Sequence, residues 1–143
     1  MSSTDEVLLI AVSRLKNELF RRVSPILTKA ELSTTQFEVL EVLLFDDRIP
    51  VGTIQKKVLG TAGNIPLVIK NLEKYGYVTR EKDSRDKRVS LISLTDQGRR
   101  LIEETYPKVK ARLTEILSFA DEKEKKELIT SLYQLLKGIE GLS

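Results

Sequence analysis

Five cationic side chains, Arg80, Lys82, Arg85, Lys87 and Arg88, fall within nine positions, with strand-forming residues on either side of a polar tip. Cations at this density on a two-stranded arm suit the neutralisation of a polyanion. An arginine at the tip of such an arm can enter a narrow DNA minor groove, where the negative potential is enhanced. Asp86 stands two residues before Arg88 and can hold its guanidinium in a bidentate pair. Taken alone, the same residues also describe an exposed charged turn, whose ion pairs contribute about 0–1 kcal/mol each.

A second group lies upstream. Thr61-Ala62-Gly63-Asn64-Ile65-Pro66-Leu67 reads as the opening of a helix. Its small residues, Gly63 among them, permit close approach to base edges. Asn64 can make paired hydrogen bonds to adenine, and Thr61 can bond a base or a phosphate. Leu67 falls on the same opening turns, Lys70 and Lys74 further along suit phosphates, and a helix N-terminus itself attracts one. The competing reading is that Thr61 and Asn64 only cap the helix.

Charge distribution supports the polyanion reading. The whole chain of 143 residues carries a net charge of +3. From Arg48 to Ser90 there are 10 Lys or Arg against 4 Asp or Glu, and no acidic residue falls between Arg48 and Leu72. The two ends together are slightly acidic. A basic middle between acidic ends points to a central contact with nucleic acid, against the alternative of an ordinary solvated surface.

Other chemistries are excluded by composition. There is no cysteine and no histidine, so disulfides, thiolate nucleophiles and Ser-His-Asp triads are absent, as is zinc or copper binding through His or Cys. An enzyme would have to rest on carboxylates, Lys or Tyr. No carboxylate cluster in an apolar setting and no Gly-rich phosphate loop is present, so no enzymatic activity, cofactor or metal is expected. No apolar run approaches the ~20 residues of a membrane span. The acidic start Met1-Ser2-Ser3-Thr4-Asp5-Glu6 does not resemble a signal peptide. A cytoplasmic location without membrane contact is the expectation.

The elements that must position these groups follow from periodicity and punctuation. Val7, Leu8, Ala11, Leu15, Leu19, Val23 and Ile26 predict a helix over 5–29, with Pro25 near its end as a kink or stop. Ser33 and Gln36 have capping-box spacing, with Leu32 and Phe37 placed as a hydrophobic staple, so a second helix runs to Phe45. Ile49 to Thr53 reads as a short strand or turn, 53–58 as a brief helix and 62–74 as the next, closed by Gly76. Residues 77–82 and 89–94 form a hairpin. Thr95 caps a helix to about Phe119, which Pro107 should bend. Asp121 and Glu124 open the last one. The fold class is mainly α with a small β-hairpin wing: a winged helix-turn-helix. The outer helices have broad apolar faces that need a partner, and a second copy of the chain is the simplest one.

Four segments resemble the MarR family of winged helix-turn-helix regulators. They are Leu32-Ser33-Thr34-Thr35-Gln36-Phe37-Glu38-Val39-Leu40, Leu72-Glu73-Lys74-Tyr75-Gly76-Tyr77-Val78-Thr79-Arg80, Asp86-Lys87-Arg88 and Leu94-Thr95-Asp96-Gln97-Gly98. The resemblance covers nearly the whole chain. The resemblance implies a homodimer joined through residues 1–30 and 100–143, with residues 31–99 as the DNA-binding lobe. It implies a pseudo-palindromic double-stranded operator, and Asp86 and Arg88 match the family's wing pair. It also implies a repressor released by a small phenolic or aromatic ligand bound where the dimer helices meet the lobe. Phe20, Phe37, Phe45, Tyr75 and Tyr106 are the candidates to line that pocket, against the plainer reading that they are core or interface residues. Pro66 and Lys70 depart from the family pattern: Pro66 delays the start of the recognition helix, and Lys70 adds attraction for phosphate. The alternative function is a winged helix used for protein contacts, its basic hairpin meeting an acidic partner without sequence-specific DNA binding.

Overall fold

The computed structural model describes residues 2–58 and 64–142. They belong to two compact units, residues 1–110 and 111–143. The first contains α1 (Thr4–Lys29), α2 (Thr34–Phe45), β1 (Ile49–Pro50), α3 (Val51–Lys57), α4 (Ile65–Lys74), β2 (Val78–Lys82), β3 (Ser90–Leu94) and most of α5 (Asp96–Ile116). The second holds the end of α5 and α6 (Glu122–Glu140).

Helix starts are set by side chains that satisfy orphan backbone N–H groups. At α2, Gln36 N donates to Ser33 Oγ at 3.1 Å and Ser33 N donates to Gln36 Oε1 at 2.9 Å. Leu32 and Phe37, both buried, close the staple beneath. Asp121 and Glu124 make the corresponding box at α6. A third box, Ser3 with Glu6, opens α1 slightly before the apolar repeat begins. Pro25 neither ends nor interrupts α1, which runs on to Lys29. It lies on the exposed side, while Val23 and Leu27 anchor the opposite side in the core. Packing along that buried stripe outweighs one lost hydrogen bond.

Ile49 and Pro50 pair with Ile92 and Leu91, and β2 pairs with β3 from Val78↔Leu94 to Lys82↔Ser90, giving an antiparallel sheet of order β1-β3-β2. Ile92 and Val78 point inward. They meet Val39, Leu40 and Leu43 of α2, Ile54 of α3, Ile69 and Leu72 of α4 and Ile102 of α5 in one buried core. The short α3 starts at Val51, directly after the strand residue Pro50, two residues earlier than the sequence suggested. α5 passes through Pro107 and stops at Ile116, before the exposed Phe119.

In the second unit, α6 buries none of its residues. Leu128, Ile129, Tyr133, Leu135, Leu136 and Ile139 are all exposed. In the first unit, Val7, Leu8, Leu9, Ile10, Val12 and Leu15 of α1 are exposed too, from 42% at Val12 to 68% at Leu9. Apolar surface of this extent on a charged chain marks an interaction face.

Candidate nucleic-acid interface

α4 begins at Ile65, the late start that Pro66 implies, with Asn64 as the cap: its Oδ1 accepts from Leu67 N at 3.3 Å. Pro66 falls in the first turn, where a missing N–H costs nothing and the fixed φ suits the helix. Asn64 thus has the capping role in this structure, and its side chain stays exposed. Thr61 and Gly63 lie outside the described residues. Ile65, Ile69 and Leu72 turn into the core, which leaves Leu67, Lys70 and Lys74 on the outer face at three- and four-residue steps, all exposed.

The wing follows directly. Gly76, at φ 81°, turns the chain from α4 into β2. At the far end, Asp83 N donates to Val89 O at 2.9 Å and Val89 N to Asp86 O at 3.0 Å, closing the tip. Asp86 is bound three times by one residue. Arg88 N and Nε donate to Oδ1 and Nη2 donates to Oδ2, each at 3.0 Å. That pairing lowers the Asp86 carboxyl below its ordinary range and raises the Arg88 guanidinium. The Arg88 side chain is nonetheless 90% exposed, so a pre-oriented guanidinium projects from the wing. Lys82, Arg85 and Lys87 are exposed beside it.

Arg80 sits differently. Its Nε lies 3.5 Å from Glu73 Oε1, linking the wing to the last turn of α4. Glu81, on the next residue of β2, accepts from Arg48 Nε at 2.6 Å. Asp47 joins three parts of the lobe. Its Oδ1 accepts from Arg48 N at 2.9 Å and from Leu94 N at 3.1 Å, and its Oδ2 accepts from Arg99 Nη2 at 2.8 Å. Thr95 Oγ1 donates to Gly76 O at 2.6 Å and accepts from Gly98 N at 2.9 Å. The start of α5 is therefore stitched to the turn between α4 and the wing. These contacts fix where the wing stands relative to α4.

On another side of the same unit, Phe45 and Tyr106 meet edge to face, with ring centroids 5.3 Å apart. They wall an open, groove-like cavity of about 600 Å3 completed by Glu41, Val42, Asp46 and Lys57.

Residues 35–113 match the family of winged helix DNA-binding domains. The HTH-type transcriptional regulator YdgJ of Bacillus subtilis is 31% identical over 111 residues, 78% of this chain and 68% of its own length. The chain belongs to the family of winged helix DNA-binding domains. A MarR-like transcription regulator from Bacillus cereus has the same fold, with a TM-score of 0.82 at 20% identity over 94% of this chain and 96% of that one. So does the organohalide-sensing regulator RdhR in its 2,4-dichlorophenol-bound form, with a TM-score of 0.85 at 18% identity over 96% of this chain and 82% of that one.

Within this winged-helix frame, the basic residues singled out in the sequence divide into two groups. Lys70, Lys74, Lys82, Arg85, Lys87 and Arg88 project from α4 and the wing, whereas Arg80 is engaged by Glu73. The aromatic candidates separate as well. Phe45 and Tyr106 share the cavity. Phe37 is in the core, Tyr75 stacks at a tilt on Tyr77 with centroids 6.4 Å apart, and Phe20 is half-buried with Lys16 Nζ 5.9 Å from its ring centre. Asp47, Arg48, Glu81 and Arg99 were not apparent from the sequence. Arg48 and Glu81 are 33 positions apart, and Asp47 and Arg99 are 52 apart, so no local pattern announces either pair. Among the described residues no helix is long and apolar enough to cross a membrane, and no cluster of His, Cys, Asp or Glu could hold a metal ion.

Proposed function

We propose that the chain is a homodimeric repressor. In this reading it binds a pseudo-palindromic operator through α4 and the wing, and a small aromatic ligand releases it. The observation that carries the DNA-binding geometry is the Arg88 guanidinium, held bidentate by Asp86 yet 90% exposed at the wing, beyond a helix whose outer face presents Lys70 and Lys74. An arginine oriented in this way is suited to a minor groove, while Asn64, Leu67 and the residues just before them approach the major groove at the start of α4. Lys82, Arg85 and Lys87 would neutralise phosphates alongside, with Arg80 adding charge at the base of the wing.

Two copies are needed to read two half-sites about 34 Å apart. The exposed apolar residues of α1 and of α6 support residues 1–30 and 100–143 as the dimerisation segments, with 31–99 as the reading lobe. Phe45 and Tyr106, around a cavity in the range of about 300–1,000 Å3 typical of small-molecule sites, support ligand release. A structural neighbour, RdhR, has been solved with 2,4-dichlorophenol. Cytoplasmic residence accords with a chromosomal target.

The test is binding to labelled duplex from immediately upstream of the protein's own gene, against a scrambled duplex, at two salt concentrations. The expected result is selective binding that survives the higher salt. Neutralising 6–10 phosphates implies a loss of about 10³–10⁵ in affinity between about 50 and 200 mM salt. Equal, weak binding to both duplexes, followed by failure to enrich any sequence from a random pool, would assign the basic face to a protein partner instead.

A further inference from the structure

The cavity walled by Phe45 and Tyr106 carries a charge imbalance that bears on what can occupy it. Its polar lining is Glu41, Asp46 and Lys57. Lys57 Nζ lies 2.9 Å from Asp46 Oδ2, so those two charges answer each other. Glu41 has no such answer: it is half-buried, and no hydrogen bond or ion pair reaches it among the described residues. Burial alone raises its carboxyl above the ordinary range, as expected of a carboxylate with no counter-charge.

The surroundings do not compensate. Glu38, one turn earlier on the same helix, is buried and brings no positive charge to Glu41. Lys16 of α1 acts on Glu38 and sits near the ring of Phe20, but it does not line the cavity. With Asp46 answered by Lys57, the carboxylate on the cavity wall that lacks a counter-charge is Glu41. Beside it, Phe45 is 68% exposed and paired edge to face with Tyr106, so ring surface is open to an incoming molecule.

Building on the ligand-release reading, we infer that this cavity takes a cationic aromatic molecule, an amine or quaternary ammonium carried on a ring. The cation lies against the Glu41 carboxylate and the ring packs on Phe45 and Tyr106. A positive group gains from both the carboxylate and the negative ring faces. An aromatic carboxylate of the same size meets repulsion from Glu41 and finds Lys57 already engaged by Asp46.

Three probes of one shape test this: 2-phenylethylamine, 2-phenylethanol and phenylacetate, titrated at up to millimolar concentration into the full-length protein by ligand-observed NMR. The amine is expected to bind about tenfold more tightly than the alcohol, and phenylacetate most weakly. Glu41→Gln should bring the amine-to-alcohol ratio close to one. Phe45→Leu, at an exposed position that leaves the core intact, should weaken all three. Cooperative melting of each variant verifies that it is folded. If phenylacetate binds best, or if the ratio survives in Glu41→Gln, the cationic assignment is overturned while the cavity remains a ligand site. If none of the three binds, the cavity reading itself falls and the inference falls with it.

Discussion

At the scale of single residues, the wing arginine and a buried glutamate make the sharpest demands. Arg88→Ala removes the one guanidinium that the wing both orients and exposes. Operator affinity should fall by about tenfold or more, and the salt slope should drop by about 1 per lobe, read by fluorescence anisotropy across a salt series. Glu38 is a different case. Burial first, then repulsion from Glu41, against a smaller opposing effect of Lys16, pushes its carboxyl from 4.5 to about 7. The folded chain therefore retains a proton that the unfolded chain releases. Stability contributed by this group is full below the ordinary value and is lost as pH rises through the window from 4.5 to about 7. Glu38→Gln should flatten that part of the stability profile and add about 1–3 kcal/mol above the window, measured by urea unfolding on both sides of it. A profile unchanged by the substitution would assign the slope to another group.

Among the secondary-structure elements, what could be read from the sequence was whatever is decided locally. Ser33 with Gln36 and Asp121 with Glu124 are three residues apart, and both boxes form as the spacing indicated. The hairpin and its Asp86–Arg88 pair are equally local. The late start of α4 follows from Pro66: with Asn64 as the cap, Pro66 falls in the first turn, where it fits, although Thr61 is an equally good capping residue by type. The supports of the wing were invisible, because Asp47 and Arg48 act on residues that folding alone brings near. Gly98 belongs to this scale too. A Cβ there would lie 1.9 Å from Tyr77 O, where the beginning of α5 crosses the turn into β2. Backbone cannot yield as a flexible side chain can, so Gly98→Ala should cost about 1–3 kcal/mol in denaturant unfolding and weaken operator binding by displacing the wing. A neutral result would mean that α5 can slide without disturbing Thr95 and Gly76.

For the whole molecule, the exposed apolar residues of α1 give a clean probe of assembly, because altering them leaves the core untouched. Leu9→Glu, at a side chain that is 68% exposed, should convert the proposed dimer to monomer in sedimentation and reduce operator affinity by at least about tenfold, with helix content retained. A dimer that persists would move the interface elsewhere. One further consequence arises at the turn after α2. Asp46 lines the cavity while Asp47, its immediate neighbour, holds β3 and α5. Consecutive Cα atoms are only about 3.8 Å apart, and Arg48 follows at φ 59°, so this turn has little slack. If the proposed ligand presses on Asp46 while the proposed operator engages the wing, the two would draw on one shared equilibrium, and such coupling is reciprocal. In the proposed function, by whatever factor an effector loosens the operator, the operator loosens the effector. Protein already seated on DNA would then answer to a higher effector concentration than protein free in solution, and the number of operators in a cell would set the dose at which the genes respond.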